Sequence, residues 1–149
     1  MCEPMTIAAT AMAISGAVGA YGQHQQGKYS EQVAKNNATV AGHLAKDAAQ
    51  RGEVAEQNHR MRVAQIISEQ TAKFGANGVA VDSGSASDVL ADTAMFGELD
   101  ALTIRNNSER EAFGFKAQGV NYRAQGKLDR LAGNYGAAST LLSSSAQAG

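Results

Sequence analysis

The chain has 149 residues, 44% of them hydrophobic and 18% charged, with Lys+Arg 13 against Asp+Glu 14, the size of one domain with no electrostatic bias toward nucleic acid or an acidic-tail function. Aromatic residues are 5%, tryptophan is absent and alanine fills much of the hydrophobic count, so a conventional core is hard to assemble from one copy and the missing burial is expected from neighbouring subunits. A single proline, at position 4, and few turn clusters exclude a many-stranded sheet and point to an all-α chain.

Cys2 is the only cysteine, which excludes a disulfide framework or a cysteine zinc site within one chain. Glu3 precedes the first apolar stretch and no Lys or Arg does, so neither a cleaved secretory signal nor a lipid-attachment signal is expected. Residues 5–22 (MTIAATAMAISGAVGAYG) are apolar or small throughout. As a helix they would span about 27 Å, close to a bilayer's hydrocarbon thickness. Their small side chains make insertion of one copy marginal. Gly16 and Ala20 have small-xxx-small spacing, and Ala11, Ser15 and Gly19 repeat it on an adjacent line, which lets helices approach closely. Membrane insertion and packing among identical helices both stay open for this segment, and both require an oligomer.

From 28 to 74 there is no proline and glycine occurs only at 42 and 52, which predicts one helix of roughly 70 Å. Stepping by 4, 4 and 3 from Val33 through Asn37, Ala41, Leu44, Ala48, Gly52, Ala55, His59, Val63, Ile66 and Gln70 to Phe74 meets no charged residue. That eleven-residue period predicts a straight or slightly right-handed stack, and stepping it backward carries the stripe through Ser30, Gln26, Gly22, Gly19, Ser15, Ala11 and Ala8. Asp47 with Arg51, Glu56 with Arg60 and Glu69 with Lys73 are acid-first i,i+4 pairs expected on the wet face.

The breakers concentrate in 75–87 (GANGVAVDSGSAS). Gly75 suits a helix C′ position, Asn77-Gly78 a turn, and Ser85 with Asp88, or Ser87, the next N-cap. The segment 88–131 nearly equals its predecessor in length, as an antiparallel helical hairpin requires. One uncharged line on it runs Leu90, Ala94, Gly97, Ala101, Ile104, Ser108, Ala112, Phe115, Gly119, Tyr122 and Gly126. A second carries Leu99, Leu102, Asn106, Phe113, Ala117, Val120, Ala124, Leu128 and Leu131, broken only by Arg110. Two apolar faces on one helix need two partners, and Leu99, Leu102, Phe113 and Val120 are the candidate oligomer face. Residues 133–149 are Ala, Ser and Gly rich and predict a weak helix that frays or orders on a partner. The expected organisation is an apolar N-terminal helix over 1–27, a hairpin over 28–132 with its turn at 75–87, and a tail from 133.

His24 and His43 are expected toward solvent, and His59 at the helix interface as a hydrogen-bonded core histidine. Glu109 and Glu111, two residues apart, point to different faces and cannot form an acid pair. No catalytic, cofactor or metal motif is apparent, so an enzyme is not expected.

The opening MCEP, the apolar stretch after it, YGQHQQGK at 21–28 and VDSGSASDVLADTAMFGELDALTIRNNSEREAFGF at 81–115 resemble the internal virion proteins of short-tailed bacteriophages. That resemblance implies a component of the ejection machinery, held inside the virion near the portal or its adaptor ring with other internal virion proteins. On infection it implies release to the host outer membrane as part of a homo-oligomeric channel that passes DNA without reading its sequence. The rival expectation is a purely structural scaffold or core-ring subunit of the virion.

Overall fold

A computed structural model of the chain describes the backbone of residues 4–148 and the side chains of residues 15–146. It is all-helical. Helix α1 spans Pro4–Ala76 and helix α2 spans Gly84–Ala148, and the two pack against each other as a hairpin. Pro4 occupies the first helical position, where a missing N–H costs nothing. Residues 5–22 open α1 and are not a helix of their own.

The turn corrects two local expectations. Gly75 is inside α1, and the left-handed residue is Gly78, at φ 71°. The Val79 amide donates to the Phe74 carbonyl at 2.9 Å and the Gly78 amide to the Gly75 carbonyl at 3.0 Å, the paired bonds of a Schellman cap. Gly84 is the second positive-φ position, also at 71°, and α2 begins there, so Ser85 and Ser87 lie within the helix. The Ser87 hydroxyl donates back to the Gly84 carbonyl at 2.9 Å. Residues 79–81 form no strand.

Contacts divide the chain into two compact units. In the unit His43–Lys116, which holds the turn, the buried and half-buried positions of α1 are Ala45, Ala48, Gly52, Glu56, His59, Val63, Ile67, Gln70 and Phe74. Those of α2 run Ala86, Leu90, Thr93, Gly97, Ala101, Ile104, Ser108, Ala112 and Phe115. Both rows step by 4, 4 and 3, the eleven-residue period of nearly straight packing. Glycines receive the opposing side chains: Gly52 faces Ser108, and a Cβ at Gly97 would lie 2.5 Å from a Val63 methyl.

The other unit joins Met1–Gly42 to Ala117–Gly149. Its α1 row is Ala20, His24, Gly27, Glu31, Ala34, Ala38 and Ala41, stepping 4 and 3. On α2, Gly119, Gly126, Gly133 and Gly136 answer it with the same period, the spacing that supercoils left-handedly. Gly27 and Gly133 meet backbone to backbone: a Cβ on Gly133 would come within 2.9 Å of both the Gln23 carbonyl and the Gly27 Cα. The expected fraying tail is instead the continuation of α2, with Thr140 and Ser144 against Gly19 and Gly16.

Among the described residues, the buried hydrophobic side chains are all alanine. Each withdraws only a methyl group from water, worth under about 1 kcal/mol, so the seam is held by close backbone contact over its length.

Candidate interaction surfaces

Ion pairs line the flanks of these small-residue seams. In His43–Lys116, Arg60 donates to both carboxylate oxygens of Glu98, at 2.6 and 3.1 Å, and Arg51 donates to Glu111 at 3.0 Å. The expected pairs Asp47–Arg51, Glu56–Arg60 and Glu69–Lys73 form at 2.9, 2.8 and 3.9 Å. Glu56, however, is not on the wet face: it is 5% exposed, inside the seam. It bonds Arg60 and stands beside a cleft of about 420 Å³ lined also by Glu53, Arg105 and Glu109. Arg105 pairs with Glu109 at 2.9 Å, and Glu111 turns away to Arg51. The cleft thus sets Arg60 and Arg105 among three carboxylates, Arg60 bonded to Glu56 and Arg105 to Glu109, each pair within one helix. Among the described residues no group of His, Cys, Asp and Glu is placed to hold a metal ion.

In the unit of the two chain ends, Arg130 donates to Glu31 at 2.9 Å and Lys35 bonds the same carboxylate at 2.7 Å. His24 is half-buried and within 2.8 Å of the Asn134 side-chain oxygen, not solvent-side as expected. His43 is exposed. His59 does face the seam, yet its Nε2 has no hydrogen-bond partner, the nearest carboxylate being Asp100 at 4.0 Å.

Two carboxyls are held below their ordinary range. At Glu31 the Lys35 hydrogen bond is the main cause, opposed by desolvation and reinforced by Arg130; at Glu98 it is the Arg60 hydrogen bond, again opposed by desolvation. A folded-state pKa below the unfolded one adds stability that is complete above the ordinary value of about 4.5 and fades as pH falls through the depressed value. The helical signal should therefore melt at a lower temperature at pH 3 than at pH 7, and Glu98→Gln should shrink that difference. A melting temperature that rises on acidification would contradict the assignment.

The predicted site residues separate by surroundings. Gly16 and Ala20 are buried and Gly19 is half-buried, its missing Cβ 3.5 Å from Thr140; Ser15 is exposed. The side chain of Ala11 lies outside the described residues. Val18, on the other side of α1, is 67% exposed. Among the described residues no helix is long and apolar enough to cross a membrane. Leu99, Leu102 and Phe113 in one unit, and Val120, Leu128 and Leu131 in the other, are all exposed, Phe113 at 70%. The hairpin covers none of them.

No curated protein and no solved structure matches the chain. A family model does, along the whole chain: residues 1–149 match the T7 virus internal virion protein gp14 family. The match extends over the full length of an all-helical chain with alanine seams, and the chain belongs to that internal virion protein family.

Proposed function

We propose that the chain is part of the machinery that ejects the phage genome, several copies associating into a channel that conducts DNA across the host envelope. Membership of an internal virion protein family supports the place of storage. The observation that carries assembly is the exposed apolar row of α2, with Phe113 and Val120 more than three-fifths in solvent. Rows of that kind mark contact surfaces more often than free surface. The partners in this reading are further copies of the chain, other internal virion proteins, the portal or adaptor ring, and then the host outer membrane.

A second reading, a structural core subunit that never meets the membrane, is favoured by one observation: Gly16 and Ala20 are already covered by the chain's own α2. Gly16→Asp would strike Ser144 and unsettle the hairpin, so it does not separate the readings. Val18→Asp does, because Val18 points away from α2. A charge on an inserting helix costs up to about 2.5 to 3.5 kcal/mol per copy at its centre and less toward its ends, and Val18 lies four residues from the end of the 5–22 segment, so Val18→Asp should reduce leakage of dye from liposomes while leaving the helical melt and incorporation into particles unchanged. Wild-type protein present in full particles, absent from emptied ones and inducing leakage is the expected result. Protein retained in emptied particles, or equal leakage from the variant, would favour the structural reading.

A further inference from the structure

The unit formed by Met1–Gly42 and Ala117–Gly149 contains five cations, Lys28, Lys35, Arg123, Lys127 and Arg130. They are spread over a hundred positions of sequence, yet the antiparallel register gathers them on one flank. Lys35 from α1 faces Arg123 and Lys127 from α2 across a groove of about 330 Å³. Arg130 reaches the same groove through its bond to Glu31. Lys28, two turns before Lys35, lies on the same side of α1. The acids do not cancel them: Glu31 is largely buried, its carboxylate shared by Lys35 and Arg130, and Asp129 opens onto the opposite side of the unit, among Tyr29, Tyr122 and Gln125. Arg123, Lys127 and Lys28 carry no ion pair among the described residues.

We propose that this flank is a sequence-independent contact surface for the phosphate backbone of DNA. Arg123, Lys127 and Arg130 follow one another at one-turn intervals along α2, giving a row of about 10 Å, and Lys28 and Lys35 run alongside on α1. Such a double row meets successive phosphates without reaching base edges, the arrangement that supplies affinity without sequence information. The groove's remaining lining, Ala34, Thr39 and Gly126, is small, while the exposed Val120 and Leu131 stand one turn from Arg123 and Lys127 along α2, so anionic lipid, which uses an apolar anchor beside its cations, is the competing occupant that the vesicle measurement decides. The chain's overall neutrality hides this surface because the acids concentrate elsewhere: between Lys73 and Arg105 every charged residue is acidic. The proposal does not depend on channel formation, since it concerns the affinity of the free chain.

The test is fluorescence anisotropy of the full-length protein with two labelled 30-base-pair duplexes of unrelated sequence, titrated from 50 to 200 mM salt. Wild type should bind both equally, with a log–log salt slope of about −3 to −4 for the four or so phosphates neutralised. Arg123→Gln with Lys127→Gln should weaken binding at least tenfold at 100 mM salt and flatten the slope by about 2. Glu31→Gln should tighten it, by releasing Lys35 and Arg130. Arg62→Gln with Arg110→Gln, exposed cations of the other unit, should change nothing, and circular dichroism verifies that each variant is folded. No saturable binding at 50 mM salt, or an equal loss in the Arg62/Arg110 variant, would overturn the proposal. So would Arg123 and Lys127 substitutions that reduce binding to phosphatidylglycerol vesicles but not to duplex, since the flank would then belong to lipid.

Discussion

Replacing Gly133 with leucine should lower the stability of the unit of the chain ends by about 3 kcal/mol, the upper end of overpacking costs. The reason is what the new side chain meets. A Cβ there lies 2.9 Å from the Gln23 carbonyl and from the Gly27 Cα, and backbone has no alternative rotamer. The three atoms nearest a Cβ at Gly97 all belong to the Val63 side chain, so Val63→Ala should rescue Gly97→Leu in part, whereas trimming a side chain does not relieve the backbone contacts at Gly133. Gly114 has open space around its Cβ position, so Gly114→Leu should be neutral or stabilise by up to about 1 kcal/mol through helix propensity. Thermal unfolding followed at 222 nm gives the ranking, and hydrogen exchange should place the Gly133→Leu loss in residues 16–42 and 117–146. Equal melting of the Gly133 and Gly114 variants would mean that the helices do not approach closely at Gly27 and Gly133.

The same closeness explains why the α2 row was legible in the sequence almost throughout and the α1 row only in part. On α2 the uncharged line Leu90, Gly97, Ala101, Ile104, Ser108, Ala112, Phe115, Gly119 and Gly126 is the buried row, with Thr93 in place of Ala94 and Tyr122 at its exposed edge. On α1 the uncharged line holds in part: Ala41, Ala48, Gly52, His59, Val63, Gln70 and Phe74 lie in the seam, whereas Val33, Asn37, Leu44, Ala55 and Ile66 are exposed and Ala34, Ala38, Ala45 and Glu56 are buried instead. Excluding charge removed Glu56 and Glu31 from consideration, although an arginine one turn away or across the seam makes both tolerable at a buried edge. Bulk misled as well, because a seam this tight admits alanine and turns valine and leucine outward. The usable signal was the alanine run Ala34, Ala38, Ala41, Ala45, Ala48, whose alternating steps of 4 and 3 announce a heptad seam where an eleven-residue period was expected throughout.

The reversal within 75–87 was legible because Asn77-Gly78 and Ser83-Gly84 are strong turn pairs. The choice of Gly78 over Gly75 rests on which carbonyls remain to be capped, which depends on where the helix stops. The basic flank was invisible for a different reason. Its five cations occupy five separate turns of two helices, interspersed with acids, and only the pairing of residue 35 with residues 123 to 127 makes them neighbours.

The largest effect on assembly is expected from Phe113→Asp. Its ring is 70% exposed in the single chain, so the substitution removes no intrachain packing, and the monomer's helical content and melting should stay as in wild type. In an assembly that buries this face, the aspartate would enter an apolar contact without a partner, and burying even an unpaired neutral polar group costs at least about 2 kcal/mol. Each 1.4 kcal/mol is tenfold in association, and every repeated interface in a ring carries the penalty again, so a closed ring should give way to monomers and small species. Light scattering across a concentration series should show wild type growing in mass while the variant does not. Phe113→Leu, which keeps the surface apolar, should retain assembly, distinguishing the burial of charge from the loss of an aromatic ring. Particles carrying Phe113→Asp should then fail to deliver DNA. An unchanged assembly would move the interface off the Leu99, Leu102, Phe113 face, and the exposed α1 side chains Val40, Val54 and Met61 would be the next surface to test.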